Sequence, residues 1–179
     1  MIRLTVAAGL GACALALAGC NEDKLETGTP LPGAPSAVAM LRTADGADVG
    51  RATATDAAGG LRVTVDVKDL PAGTHGAHAH TVGRCDAPTF ETAGPHWNPT
   101  SMKHGTMNPQ GPHYGDMPNI IIDSGGRGTV AATIPGATLA GLLDADGAAF
   151  VIHAGPDDLK TDPSGNSGGR IACGVFQAS

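Results

Sequence analysis

Residues 61–68, Leu-Arg-Val-Thr-Val-Asp-Val-Lys, alternate apolar and polar positions without a break. Successive side chains of a strand point to opposite faces, so this spacing predicts a half-buried β-strand. Weaker alternation over residues 37–42 and 50–55 predicts two more. The turns Ala44-Asp45-Gly46 and Ala58-Gly59-Gly60 are short enough to join the three as antiparallel neighbours. Residues 74–80 can add a fourth strand, and strand character returns at 128–134, 148–153 and 170–176. Between 81 and 126 neither period survives, and Pro88, Pro95, Pro99, Pro109, Pro112 and Pro118 interrupt the chain. Residues 154–169 form a second irregular stretch. An excursion as long as the first belongs in a compact domain only if something orders it. Seven or eight short strands with two long loops predict an all-β sandwich or flattened barrel.

The ends change the domain count. One positive charge at Arg3 precedes an apolar run, rich in Gly and Ala, that closes in Leu17-Ala18-Gly19-Cys20. This is the pattern of a bacterial secretory leader over 1–19, and its last four residues resemble a lipobox, which would make Cys20 the lipid acceptor. An ordinary leader with a chance cysteine is the competing reading. Residues 20–36 hold polar residues and three prolines with almost nothing to bury, and predict a flexible tether. Residues 37–179 remain as one domain. With Gly 27 and Pro 13 against three Phe, one Trp and one Tyr, its core must be aliphatic. Cys85 and Cys173 are the cysteines left to the domain, and export would place them where a disulfide persists. The formal charge of −6 comes with no basic patch, which excludes nucleic acid as a partner.

All seven histidines fall in the domain. His78 and His80 alternate on a predicted strand and project from one face, with His75 on the other. His153 ends an apolar strand and can approach the same point. Three or four imidazoles in a plane suit copper. His96, His104, His113 and Asp116 lie along the long loop, and histidine nitrogens with one carboxylate oxygen suit tetrahedral zinc.

The stretches 75–80 (His-Gly-Ala-His-Ala-His), 93–99 (Ala-Gly-Pro-His-Trp-Asn-Pro), 103–105 and 113–116 (His-Tyr-Gly-Asp) closely resemble the copper/zinc superoxide dismutases. So do residues 153–158 and 165–175, and the resemblance covers essentially all of 37–179. It implies an eight-stranded Greek-key β-barrel. It further implies His78, His80, His96 and His153 as copper ligands, and His96, His104, His113 and Asp116 as zinc ligands, with His96 shared as an imidazolate. By the same resemblance Asp157 orients one ligand of each metal, His75 is structural, Cys85 pairs with Cys173, and Arg170 is the guanidinium beside copper. The substrate implied is superoxide, dismuted to oxygen and hydrogen peroxide.

Thr81 stands where an acidic residue commonly follows the His-x-His pair. The wider Cys85–His96 spacing and the short 153–170 loop match the bacterial branch, so the animal dimer interface does not carry over, and monomer and homodimer both stay open. Lys160 reads equally as a steering charge or a solvated lysine. A copper or zinc storage protein is the chief competing function. A zinc hydrolase lacks its HExxH, and a purely structural lipoprotein leaves the histidines unexplained. The expected location is the cell envelope, facing the periplasm, with the membrane met through an N-terminal lipid.

Overall fold

The computed structural model describes residues 27–179, together with Met1. The leader at 1–19, the Cys20 lipid site and the first part of the tether lie outside the described residues. The remainder of that tether is not free chain. Gly28 N–H donates to the Ala58 carbonyl (2.9 Å), Ala58 N–H to Thr29 (2.9 Å), and Leu31 N–H to Asp56 (3.1 Å). Residues 28–31 thus lie as a strap along a hairpin tip, because that tip has backbone donors and acceptors to pair, and the ordered domain begins before residue 37.

Strands β1 (Ser36–Arg42), β2 (Asp48–Ala57) and β3 (Gly60–Val67) form the antiparallel meander that the alternation predicts. On β3 the apolar set Leu61, Val63, Val65 and Val67 is buried. The strand expected over 74–80 divides at Gly76, whose N–H and C=O are taken by Gly155 and His153. Its halves, β4 (Gly73–His75) and β5 (Ala77–His80), join different sheets. β4 pairs with β6 (Ile120–Ile122), and β5 with β8 (Ala149–His153). With β7 (Gly128–Pro135) and β9 (Arg170–Ala178), the larger sheet runs β5-β8-β9-β1-β2-β3-β7. The result is an all-β barrel: one curled antiparallel sheet, closed by the β4–β6 pair. The division at Gly76 makes nine strands among the described residues where eight were expected.

Inside the curl, Leu41, Leu61, Phe150, Ile152 and small alanines such as Ala52 and Ala54 are fully buried. Each large member contributes roughly 1.5–3 kcal/mol by leaving water. A second, smaller cluster sits on the outer face of β8 and β9, where Phe90 and Ala93 cover Ala149, Val151 and Cys173. Cys85 and Cys173 form a disulfide across 88 positions, which pins the segment carrying Phe90 to β9.

The long loop is ordered by backbone pairing to β5. Ala79 donates to the Gly115 carbonyl (2.9 Å), Trp97 to Ala79 (2.9 Å), and Gly115 to Trp97 (2.8 Å). Any Cβ at position 115 would collide with the Ala79 carbonyl, so this crossing needs glycine. It carries His96 and Asp116 to the same strand that carries His78 and His80.

Candidate metal centre

Ala77 and Ala79 of β5 face the core, while His78 and His80 face outward beneath the loops. His153 reaches the same point from the end of β8, where the register shifts between Ile152 and His153. His96 arrives on the loop, opposite His80. The metal-facing nitrogens of these four rings lie within 4.8 Å of one another. Each ring is fixed from behind. His80 Nδ1 donates to the Gly94 carbonyl (2.8 Å) and His153 Nδ1 to the Gly168 carbonyl (3.1 Å). His78 Nε2 is bonded to Asp157 Oδ2 (2.7 Å), and His96 Nδ1 to Asp116 Oδ1 (2.8 Å). Those bonds leave His78 Nδ1 and the Nε2 atoms of His80, His96 and His153 buried without a partner. An unpartnered buried polar atom costs about 1–3 kcal/mol. Four aimed at one point therefore fit an ion that accepts four imidazole lone pairs, the donor set copper takes.

Electrostatics prepare these rings for ligation. Burial, reinforced by the neighbouring His96 and only partly opposed by the bond to the Gly94 carbonyl, holds His80 well below the usual imidazole range. Burial likewise brings His96 to about 4 and His153 to about 3. All three are neutral at pH 7, the form that binds metal.

The second donor set gathers around Asp116. Its Oδ2 accepts backbone N–H bonds from Gly105 (2.8 Å) and His113 (3.0 Å), which turns Oδ1 toward three rings. His96, His104 and His113 present Nδ1 to it at 2.8, 3.0 and 3.3 Å. A tetrahedron with ligand bonds of about 2.0–2.1 Å has edges of about 3.3 Å, so three nitrogens and one oxygen at this spacing fit zinc. His104 is fully buried between two carboxylates. Burial alone would lower it, but its bonds to Asp116 (3.0 Å) and Asp157 (3.0 Å) outweigh that and raise it to about 9. The same bonds overcome burial at Asp116 and Asp157 and hold both carboxyls well below the ordinary range.

Asp157 joins the two sets, taking His78 on Oδ2 and His104 on Oδ1. Its backbone is gripped by Asn119, whose side-chain amide donates to the Asp157 carbonyl (2.8 Å) while its oxygen accepts the Asp157 N–H (2.8 Å). Gly165 sits against the carboxylate with φ +64°, and a Cβ there would overlap Asp157 Oδ1. Sequence reasoning missed Asn119 and Gly165, since both act through backbone contact. His75 stays outside both sets, bonded to the carbonyls of His153 (2.8 Å) and Pro71 (3.0 Å). Arg170 is half-buried, with Nη1 on the Phe90 carbonyl (2.6 Å) and Nη2 on the Gly94 carbonyl (2.8 Å). The Gly94 oxygen therefore serves Arg170 and His80 together. Lys160 is exposed on the loop beside Gly105. A cavity of about 590 Å³ lies elsewhere, on the outer face of β1 and β9 around the disulfide, and no histidine lines it.

Residues 49–176 match the family model described as copper/zinc superoxide dismutase. The chain belongs to the copper/zinc superoxide dismutase family. It is 40% identical to the Cu-Zn superoxide dismutase of Caulobacter vibrioides over 99% of this chain and 100% of that one. Superoxide dismutase [Cu-Zn] 2 of Aquifex aeolicus is 44% identical, over 78% of this chain and 85% of its own. Among solved structures, a superoxide dismutase-like protein from Bacillus subtilis superposes with a TM-score of 0.73 at 37% identity, over 78% of this chain and 97% of that one. Family membership makes the chain a superoxide dismutase with copper and zinc as cofactors. Every histidine that the sequence grouped with either metal falls in the corresponding cluster. The third close trio, His78, His104 and Asp157, has its facing atoms engaged in ring-to-carboxylate hydrogen bonds.

Proposed function

We propose that His78, His80, His96 and His153 hold copper, that His96, His104, His113 and Asp116 hold zinc, and that the His96 ring bridges the two as an imidazolate. The carrying observation is that His96 belongs to both donor sets, with Nδ1 on the Asp116 side and Nε2 unpartnered on the other. When bound, copper supplies the one-electron couple that turns two superoxides and two protons into oxygen and hydrogen peroxide, while zinc supplies fixed positive charge. The protein's part is positional and protonic. Arg170, held by two carbonyls, offers a fixed cation to a small anion. With the metals bound, the single Nε2 lone pair of His96 would serve copper and a proton in turn, free of the metal while it carries the proton that it then gives to peroxide, with the second proton taken from water. Its Nδ1 remains on the zinc side throughout. Asp157 keeps His78 and His104 in their ligating orientation.

The leader pattern ending at Cys20 supports a lipid-anchored enzyme facing the periplasm, where it would protect the cell envelope from superoxide. Two measurements test these assignments. The copper- and zinc-loaded protein should consume superoxide, and His153→Ala should abolish turnover while keeping a folded protein that still takes up zinc. Full activity in that variant would refute the copper site, and wild-type turnover no faster than the metal-free form would favour metal storage instead. Cys20→Ser should abolish lipid labelling in cells; continued labelling would refute the anchor.

A further inference from the structure

The two metal sets differ in how they meet solvent. On the zinc side a cavity of about 370 Å³ is lined by His96 and His113 at its base and by Lys103 and Asp162 at its rim. His78, His80 and His153 do not line it. Below it, His104 and Asp116 are 0% and 6% exposed, so this cavity is where the zinc-side donors come nearest to solvent. At the rim the Asp162 and Lys103 side chains are 39% and 55% exposed and form an ion pair of 3.0 Å through Asp162 Oδ2. Asp162 Oδ1 accepts the His104 N–H (2.8 Å) and stands 3.9 Å from His113 Nε2.

We propose that this cavity is the loading port for the zinc-side ion, with Asp162 as the carboxylate that meets the incoming cation and Lys103 as the charge that screens it. The proposal rests on the zinc assignment above. A dication approaching instead at the surface depression lined by Glu91, Gly168, Gly169 and Arg170 meets a carboxylate already faced by a guanidinium, and none of the zinc-side donors lines that depression. At the zinc side it meets an oxygen ligand within reach of His113, and carboxylate oxygen is a donor zinc accepts. Lys103 occupies one oxygen of that carboxylate, so the rim is close to neutral and uptake is slower than the carboxylate alone would allow. The pairing also explains why a half-exposed aspartate is placed here: its other oxygen holds the His104 backbone, fixing the carboxylate over the port.

The test is the rate of metal uptake by the metal-free, disulfide-intact full chain, mixed rapidly with one equivalent of cobalt(II) and followed by its visible absorbance. Lys103→Met should raise the association rate constant by about tenfold, and Asp162→Asn, which keeps an oxygen for the His104 N–H, should lower it by about as much. Lys160→Met makes the same charge change on an exposed lysine outside this cavity, and its rate should stay within twofold of wild type. Equal acceleration by Lys103→Met and Lys160→Met would reduce the effect to net charge and overturn the proposal. An unchanged rate in Asp162→Asn would overturn it as well. If wild type gives no tetrahedral cobalt spectrum at all, the zinc assignment itself fails, a result distinct from normal binding at unaltered rates.

Discussion

Asn119→Ala is the substitution that best separates positioning from ligation, because Asn119 touches no metal-facing atom. Its amide makes two 2.8 Å hydrogen bonds to the backbone of Asp157, a residue 4% exposed. A hydrogen bond contributes about 0.5–1.5 kcal/mol net, and a buried group left without a partner costs about 1–3 kcal/mol. Partial access of water to Asn119 discounts the upper end, so the metal-free protein should lose about 2–4 kcal/mol. At a mid-range urea slope of about 2 kcal/mol per molar, the midpoint should fall by roughly 1–2 M. The single tryptophan, Trp97, is buried next to His96 and reports the transition by fluorescence. Asp157 loses its backbone reference at the same time, and it orients His78 and His104 together. Outer partners of metal ligands are worth about 10–100-fold in affinity, so zinc retention against a chelator should weaken within that range. Asn119→Asp, which keeps the acceptor and loses the donor, should fall between wild type and alanine. A stability change below about 0.5 kcal/mol with unaltered zinc retention would refute the idea that this amide holds the carboxylate in place.

Gly165→Ala should be more damaging than an exposed loop substitution, because it adds a Cβ onto Asp157 Oδ1 at φ +64°. We expect at least about 2 kcal/mol lost and weaker zinc retention, and wild-type values in a chelator competition would contradict this packing. The metal-free protein should also show opposed pH effects. The depressed carboxyls of Asp116 and Asp157 stabilise the fold above their unfolded value of about 4, and that contribution is lost as pH falls below it. The raised His104 contributes fully below its unfolded value of about 6.5 and loses that contribution as pH rises through about 9. Protonating the depressed His96 and His153 rings also costs stability as pH falls below about 6.5, so urea midpoints measured from pH 3 to pH 10 should peak at about pH 6.5–7 and fall on both sides, and a monotonic rise through pH 9 would contradict the His104 environment.

The histidine set was legible because its chemistry is written in residue type: imidazoles at alternate strand positions have few reasons to be buried other than ligation. The meander was legible from the unbroken alternation of residues 61–68. What escaped depends on backbone. The break at Gly76 comes from loops that claim its N–H and C=O, and no local propensity announces it. Ile120–Ile122 is too short to show a period, and the surrounding prolines hid it. Asn119 and Gly165 look like ordinary turn residues. Their roles arise from contact with Asp157, which lies 38 positions from Asn119. Asp162 likewise gains meaning only once the second loop folds over the first.

The strap at residues 28–31 sets a length scale. If Cys20 carries the lipid, residues 21–27 are the chain left between the bilayer and Gly28, the first residue paired to the hairpin tip among the described residues. At roughly 3.3–3.6 Å per residue that chain reaches about 25 Å at full extension. A leash beginning at residue 37 would reach more than twice as far. The enzyme would then patrol a shallow layer beside the membrane, with its β2–β3 hairpin tip turned toward the lipid. Superoxide released at that surface would be intercepted there, before it could spread through the compartment.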